Sequence, residues 1–153
     1  MPKQSAGILL YRQGTGGPEF FLVHPGGPFW AKKDLNSWSV PKGEFPEDED
    51  PLSAAKREFE EETGFILSGG FMELSPVRLK SGKKVYCFAI EGDIEPAAIK
   101  SNTFEMEWPP KSGSRQSFPE VDKAAWFDRE TAVTKINESQ AAFIEELLTL
   151  IKR

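Results

Sequence analysis

PKGEFPEDEDPLSAAKREFEEETGF, residues 41–65, holds the clearest structural pattern in this sequence of 153 residues. Within it, Asp50 followed by Pro51 predicts the start of a helix, because aspartate caps a first turn well and proline lacks only an N–H that this turn leaves unpaired. Gly64 predicts the end of the same helix, since glycine readily adopts the left-handed conformation that closes many helices. We therefore expect one helix between Asp50 and Gly64.

The predicted helix has an apolar face with a carboxylate face beside it. Leu52, Ala55 and Phe59 recur at i, i+3 and i+7, a spacing that docks a helix on a core. At about 100° per residue, three glutamates fall next to this stripe, whereas Glu60 points toward water. The three glutamates of the carboxylate face are Glu58, Glu61 and Glu62.

These clustered glutamates should repel one another. Like charges at i,i+3 or i,i+4 each cost roughly 0.2–0.5 kcal/mol, and the C-terminal end of a helix disfavours negative charge. A solvated acidic surface is the simple interpretation of an isolated acidic run. A hard divalent cation bound by carboxylate oxygens would remove the repulsion, and oxygen ligands suit Mg²⁺ or Mn²⁺.

The spacing of the whole stretch favours the cation. Gly43 is followed after five residues by Glu49, and after seven more by REFEEETGF, residues 57–65. This pattern resembles a complete Nudix box, G-x5-E-x7-R-E-U-x-E-E-x-G-U with U apolar, and no position departs from it. The resemblance implies an α/β fold, in which an α/β/α sandwich surrounds a mixed β-sheet and the box forms a loop–helix–loop motif.

The resemblance also implies residue roles in a metal-dependent pyrophosphohydrolase with Mg²⁺ or Mn²⁺ as cofactor. The implied metal ligands are Glu58, Glu61, Glu62 and the backbone carbonyl of Lys42. Arg57 joins these glutamates as an implied catalytic residue, and with Glu49 it matches positions that orient the carboxylates, where an arginine can make a planar, bidentate contact. Gly43 and Gly64 match supporting backbone positions of the motif, the first allowing close approach of the chain.

Members of this family often add a carboxylate from outside the box, as a metal ligand or general base, and Glu120 is the candidate here. It precedes a predicted strand and stands six residues before Trp126. This spacing, together with the approach to the box from Trp38, resembles the asymmetric diadenosine tetraphosphate hydrolases. A surface position is the alternative interpretation of Glu120, and Glu105 and Glu107 are weaker rivals for its role.

The implied substrate is a small nucleotide, and the first hypothesis is a dinucleoside polyphosphate such as diadenosine tetraphosphate, cleaved to ATP and AMP. Nucleoside triphosphates and nucleotide sugars are alternative substrates, and a non-catalytic nucleotide-binding module is an alternative of another class. Aromatic and cationic side chains suit a nucleotide by stacking and by phosphate attraction, although loop packing explains the aromatics of residues 25–36 equally well. The candidate substrate contacts are Trp30, Lys32, Lys33, Lys83 and Arg115.

Composition bounds the remaining possibilities. The length predicts a single Nudix domain over residues 1–153, large enough for its own core. The net charge of −5 argues against an extended nucleic-acid surface. The single cysteine, Cys87, excludes an internal disulfide and favours a cytoplasmic location. With no signal peptide or membrane-length apolar run we expect no membrane association, and the oligomeric state is left open.

The rest of the chain supplies the predicted sheet. Apolar runs separated by a Gly-rich turn predict strands at 5–12 and 19–24. Alternation of apolar and acidic residues predicts a strand at 103–108, with 115–118 returning beside it, and a last strand is predicted at 121–127. Residues 71–80 and 83–91 are predicted to pair as a hairpin, and residues 38–40 to form a short strand before the box. His24, the only histidine, is interpreted as a polar residue at a strand end rather than a catalyst.

Overall fold

A mixed sheet of seven strands lies at the centre of the computed structural model, which describes residues 3–151. The strands are β1 Gln4–Gly14, β2 Gly17–Pro25, β3 Lys42–Glu44, β4 Met72–Glu73, β5 Val77–Arg78, β6 Lys84–Glu91, β7 Thr103–Glu107, β8 Arg115–Pro119 and β9 Val121–Asp128, of which β7 and β8 form a separate two-stranded ribbon. The helices are α1 Pro51–Thr63, α2 Arg129–Lys135 and α3 Ala141–Ile151, and single 3-10 turns span Pro96–Ala98 and Glu138–Gln140.

The long hairpin of β1 and β2 organises the sheet. β1 pairs in parallel with β6 over its first eight residues, and β2 pairs antiparallel with β9 on the other side. β3 pairs with the start of β1, with Ala6 opposite Gly43, which brings the beginning of the predicted motif onto the sheet. The sheet is therefore mixed, as the resemblance implies.

Each face of the sheet has its own apolar core. α1 covers one face, where Phe59 packs on Phe21 with ring centroids 6.1 Å apart. α2 and α3 cover the other face, where Leu147 joins a cluster with Leu9 and Leu22, all fully buried. The expected three layers, helix, sheet and helices, are confirmed.

The predicted hairpin partner at residues 71–80 is wrong as a continuous strand. It is divided into β4 and β5, which both pair antiparallel with β6. Pro76 stands between them and has no N–H to give to a ladder, while the N–H of Ser75 donates to the Glu146 carboxylate of α3 at 2.8 Å. The edge of the sheet is therefore interrupted and bound to the last helix.

The predicted strand at residues 38–40 is also wrong. It forms only two isolated bridges, Ser39 with Val23 and Trp38 with Ile136. The N–H of Val40 donates to the side-chain oxygen of Gln140 at 3.0 Å instead of to a strand. The regular pairing begins two residues later, at β3.

The β7–β8 ribbon stands apart from the main sheet and is attached to it at its base. The N–H of Asn102, just before β7, donates to the carbonyl of Glu61 in α1 at 2.8 Å, and the N–H of Glu120, just after β8, donates to the carbonyl of Asn102 at 2.8 Å. The ribbon therefore connects the C-terminal end of α1 to the start of β9. Within residues 3–151, no helix is both long and apolar enough to cross a lipid bilayer.

Candidate active site

α1 begins and ends where its sequence predicts. The Asp50 side chain accepts the N–H of Ser53 at 3.0 Å, and Gly64 closes the helix with φ of +83° while its N–H donates to the carbonyl of Glu60 at 2.7 Å. These caps fix the helical phase, which turns Glu58 inward and leaves Glu60 exposed. The carboxylate face therefore lies beside the core, as predicted.

Gly43 and Glu58 are packed directly against each other. A Cβ atom on Gly43 would overlap the carboxylate group of Glu58. Because β3 holds Gly43 in the sheet and α1 holds Glu58, neither backbone can yield easily. The missing side chain at position 43 is therefore what gives the Glu58 carboxylate its place.

Arg57 contacts three carboxylates of the motif. Its Nη2 and Nε atoms donate to the two oxygens of Glu49 at 2.9 and 3.1 Å, a bidentate contact. Its Nη1 lies 3.0 Å from Glu61 and 3.4 Å from Glu58. These contacts raise the pKa of Arg57, chiefly through Glu49, and the same hydrogen bond lowers the pKa of Glu49. The guanidinium therefore connects the segment before α1 to two glutamates of the helix.

Two glutamates of α1 have pKa values well above the ordinary value for a carboxyl group. Loss of solvent raises the pKa of Glu58 to about 7, with Glu61 adding to the effect and Arg57 opposing it. Burial likewise raises the pKa of Glu62 to about 8, reinforced by Glu58 and Glu120 and opposed by Lys42. These carboxylates are crowded together in a place that water reaches poorly.

The structure brings Glu120 to this cluster. β2 and β9 pair in register as far as His24 opposite Lys123, where a bulge places Pro25 opposite Val121. Just beyond the bulge, the carbonyl of Glu120 accepts the N–H of Gly26 at 2.9 Å. Partial burial raises the pKa of Glu120, with the charge of Glu61 as the second cause. The two rival glutamates stay on the ribbon.

Those rivals, Glu105 and Glu107, have partners of their own. Glu107 accepts the backbone N–H groups of Lys111 and Gly113 at 3.1 and 2.9 Å, which closes the turn of the ribbon. Glu105 pairs with Arg115 at 3.5 Å. Of the three carboxylates considered outside the box, Glu120 is the one that lines the cavity with Glu62.

A cavity of about 220 Å³ opens beside Glu62 and Glu120. The Lys42 side chain lies at the same end, and burial lowers its pKa, with the charge of Lys83 acting in the same direction. Trp30 lines the cavity, and so do four polar residues that the sequence analysis did not identify as site residues. These residues are Ser37, Ser39, Asn137 and Gln140.

The candidate substrate contacts divide into near and distant ones. Trp30 lines the cavity, and the Lys33 ammonium lies 4.9 Å from its ring centroid and 4.1 Å from that of Phe29. Lys83 pairs with Glu44 at 3.2 Å, beside Lys42. Lys32 is exposed on the same loop as Trp30. Arg115 is at the far end of the ribbon, which places it away from the cavity.

Both tryptophans of the predicted substrate signature have packing roles. Trp38 is buried, donates its indole N–H to Asp34 at 2.8 Å, and meets Phe127 edge-on. Trp126 donates its indole N–H to the carbonyl of Ile94 at 3.0 Å and lies under the guanidinium of Arg12. Neither lines the cavity.

The residues fit a divalent cation by donor chemistry. Carboxylate oxygens are ligands that Mg²⁺ and Mn²⁺ prefer, and a cation would stabilise the charged forms of Glu58 and Glu62, whose pKa values are raised. In residues 3–151, however, no three His, Cys, Asp or Glu side chains are gathered in a group able to hold a metal ion. Glu61 is bonded by Arg57, which also contacts Glu49.

Comparison with known proteins identifies the family. The NUDIX domain matches residues 1–147, so this chain belongs to the Nudix family. An RNA pyrophosphohydrolase of Rhodospirillum rubrum is 41% identical over 66 residues, an alignment that covers 41% of this chain and 38% of that relative. The aligned segment is therefore less than half of either protein.

Solved structures show the same fold. A C. elegans Ap4A hydrolase binary complex superposes with a TM-score of 0.64 at 18% identity, covering 97% of this chain and 98% of that one. The NUDIX domain of Shewanella oneidensis NrtR, complexed with ADP ribose, superposes with a TM-score of 0.69 at 16% identity, covering 99% and 89%. At these identities the likeness concerns the fold.

Proposed function

We propose that this chain is a divalent-metal-dependent pyrophosphohydrolase that cleaves a phosphoanhydride in a nucleoside diphosphate-linked substrate. The observation that carries the proposal is the meeting of Glu62, Glu120 and Lys42 at one end of a cavity with an aromatic wall. A nucleotide needs both surfaces, because its base stacks on aromatic rings and its phosphates require cations. The intact box supports the proposal from the sequence.

Under this proposal Mg²⁺ or Mn²⁺ is held by carboxylates of α1. The residues that hold it are Glu58, Glu61, Glu62 and the backbone carbonyl of Lys42, with Glu120 as a further candidate. When bound, the cation supplies stabilisation for charge on the attacking and leaving oxygens. Arg57 and Glu49 keep the carboxylates oriented, and Gly43 leaves space for Glu58.

Glu120 is the candidate general base for the attacking water. It approaches the helix carboxylates from the junction of β8 and β9, and burial raises its pKa, the direction that favours proton uptake by a carboxylate. Its N–H donates to the carbonyl of Asn102, which is itself bonded to Glu61 of α1, and its carbonyl accepts the N–H of Gly26. A metal-ligand role for the same carboxylate is the alternative.

The substrate that we propose is a dinucleoside polyphosphate such as diadenosine tetraphosphate. The cavity has room for one nucleoside against Trp30, and the tetraphosphate then runs past Lys42 toward Lys83. Lys33 and the exposed Phe29 offer a stacking and cationic surface outside the cavity for the second nucleoside. Asymmetric attack gives ATP and AMP.

A 5′-triphosphorylated RNA end is the second candidate, because the relative that aligns over 66 residues is an RNA pyrophosphohydrolase. Such an RNA end presents a nucleoside with a 5′-polyphosphate to the site, as a dinucleoside polyphosphate does. The net charge of −5 makes an extended RNA footprint unfavourable. Recognition would then be limited to the first nucleotide.

The test is a comparison of kcat/KM for diadenosine tetraphosphate, nucleoside triphosphates, ADP-ribose and a short 5′-triphosphate RNA, each with Mg²⁺ and with EDTA. We expect the dinucleotide to give the highest value, and mass spectrometry in ¹⁸O-labelled water to identify which product carries the solvent oxygen. A higher value for triphosphates, nucleotide sugars or RNA contradicts the substrate assignment alone. Hydrolysis of none of them, with nucleotide binding retained, would establish the non-catalytic module instead.

The wider setting is part of the same proposal. We expect residues 1–153 to act as one Nudix domain in the cytoplasm, where the reduced state of Cys87 is maintained. Burial raises the pKa of this thiol, which keeps it unreactive. No membrane or extended nucleic-acid partner is required for hydrolysis of a small nucleotide.

A further inference from the structure

His24 is buried at the end of β2, and both of its ring nitrogens have close partners. Nδ1 lies 2.9 Å from a carboxylate oxygen of Asp122, and Nε2 lies 2.6 Å from the backbone carbonyl of Lys33. The ring also meets Trp38 edge-on at 5.3 Å. The histidine therefore connects β9 to the loop of residues 25–36.

The two partners of the ring belong to different parts of the chain. The Lys33 carbonyl can only accept a hydrogen bond, so the Nε2–H of His24 donates to it at 2.6 Å. Nδ1, on the other side of the ring, is 2.9 Å from the Asp122 carboxylate of β9. The ring is therefore held from both sides, by the loop and by the strand.

The bulge in β9 is what makes this bridge possible. Asp122 is the residue without a partner between Lys123, which pairs with His24, and Val121, which pairs with Pro25. A bulge redirects the side chain of its extra residue, and here the carboxylate of Asp122 contacts the His24 ring. Asp122 is two positions after Glu120 in the chain, with Val121 between them.

The Lys33 carbonyl connects His24 to the turn that carries Trp30, a residue of the cavity wall. Within the loop, the N–H of Lys33 donates to the carbonyl of Trp30 at 2.9 Å, and the N–H of Trp30 donates to the carbonyl of Gly27 at 3.3 Å. A fixed Lys33 therefore fixes the turn that presents Trp30 to the cavity. Asp34, the next residue, accepts the indole N–H of Trp38 and pairs with Lys135, so the loop is held on that side by contacts other than the His24 bridge.

We propose that His24, held between Asp122 and the Lys33 carbonyl, is a positioning residue that keeps Trp30 in the wall of the nucleoside cavity. The inference rests on the proposed function, because it takes the cavity to be the nucleoside site. It adds to that function a link between the loop of residues 25–36 and β9, the strand that begins directly after Glu120. His24 acts through Trp30 and does not touch the reacting atoms.

The first test reads the clamp without substrate. Hydrogen exchange followed by mass spectrometry is compared for wild type, His24→Gln and Asp122→Asn. We expect peptides within residues 25–36 to exchange at least about 10-fold faster in both variants, since each weakens the hydrogen bonds of the His24 bridge, while α1 peptides keep the wild-type rate. Unchanged exchange in the loop overturns the proposal.

Glu145→Gln is the matched control for the exchange experiment. It also removes one carboxylate from an ion pair, with Arg129 at 2.9 Å, but on the outer surface of α3. It should leave loop exchange at the wild-type rate. Faster loop exchange in this control would mean that the loop responds to any loss of charge, which contradicts a specific clamp.

The second test separates positioning from general damage. With the best substrate of the wild type, His24→Gln and Asp122→Asn should each raise KM about 10-fold and change kcat less than about 3-fold. Trp30→Ala should raise KM as well, and adding His24→Gln to it should raise KM no further, because the two residues act in series. Additive effects in the double variant, or a loss of kcat equal to the rise in KM, contradict the proposal.

Failure of the proposed function gives a different pattern. If the wild type hydrolyses none of the anhydrides, the hydrolase assignment fails, and the exchange experiment still decides whether His24 clamps the loop. If hydrolysis is observed and the loop exchanges at the same rate in all variants, the clamp fails and the hydrolase assignment stands.

Discussion

Gly43 illustrates how one residue sets the position of another across two elements. The Glu58 carboxylate occupies the space of the missing Cβ atom, so the smallest side chain at position 43 must move it. The strand pairing of β3 with β1 prevents the backbone from retreating. A site that depends on carboxylate position is sensitive to such a shift.

We expect Gly43→Ala to lower kcat/KM about 100-fold, the scale of a displacement near 1 Å in an active site. The measurement is steady-state hydrolysis at saturating Mg²⁺, with the melting temperature recorded in parallel. Gly16→Ala is the control, because a Cβ atom at that turn glycine meets nothing within 4 Å. A fully active Gly43→Ala protein would show that Glu58 can move without loss.

Glu58 and Glu62 also predict how stability depends on pH. Their pKa values in the folded protein are about 7 and about 8, against an ordinary value of 4.5. Between these limits the folded state binds more protons than the unfolded state, so the free energy of unfolding falls as the pH rises. The stabilisation is fully present below pH 4.5 and is lost as the pH passes 7 to 8.

In EDTA, the melting temperature of the wild type should therefore fall by several degrees between pH 5 and pH 8.5 relative to a Glu58→Gln/Glu62→Gln variant. The difference between the two proteins isolates these groups from the other titrating residues. Differential scanning calorimetry across the pH range makes the measurement. A difference that does not change with pH would mean that the two carboxylates are well solvated.

At the scale of elements, α1 turns some of its glutamates toward the candidate site and leaves others in the solvent. Its caps at Asp50 and Gly64 set the phase of the helix, and the phase decides which glutamates reach the site. Glu60 is exposed and lies on the opposite side from Glu58, whose carboxylate lies against Gly43. Sequence position alone would treat the adjacent glutamates alike.

We expect Glu61→Gln and Glu62→Gln each to lower kcat by orders of magnitude while the protein stays folded, and Glu60→Gln to remain within about 3-fold of wild type. The physical reason is that the first two remove a candidate metal oxygen, whereas the third changes a solvated charge. Steady-state kinetics with circular dichroism as the folding check is sufficient. Equal losses at all three positions would refute the helical phase or the metal assignment.

Local signals predicted most of the elements, and long-range contacts account for what they missed. The caps of α1, the apolar runs of β1 and β2 and the alternation in β7 are each encoded within a few residues, so the sequence reports them directly. Gln140 lines the cavity because it bonds Val40, 100 positions away in the chain. The bulge at Asp122 depends on the register between two strands, for which a single strand carries no signal.

For the whole molecule, the candidate site lowers the free energy of unfolding, and a bound cation can raise it again. Carboxylates with raised pKa values destabilise the native state in their charged forms, and a cation bound only by the folded protein stabilises it by RT ln(1 + [L]/Kd). Glu120 lies between β8 and β9, far in the chain from the glutamates of α1, so the site exists only when the sheet is assembled. Metal binding and global stability are therefore coupled.

We expect Mg²⁺ or Mn²⁺ at about 100 times its Kd to raise the melting temperature by several degrees, since that ratio is worth about 2.7 kcal/mol. The increase should largely vanish in a Glu58→Gln/Glu61→Gln/Glu62→Gln variant. Without metal at pH 8, that variant should be no less stable than wild type, because it lacks the repulsion. Thermal melting with a metal titration measures both, and a metal response retained in the variant would place the cation elsewhere.

The loop of residues 25–36 is held at both ends by backbone bonds, from Gly26 to Glu120 and from Trp38 to Lys135. Between these two anchors it contributes Trp30 to the cavity and nothing to α1. For protein engineering this means that the loop can be varied separately from the glutamates of α1. Libraries confined to residues 27–33, with the loop length unchanged and His24 retained, can redirect substrate preference while the residues that carry hydrolysis stay the same.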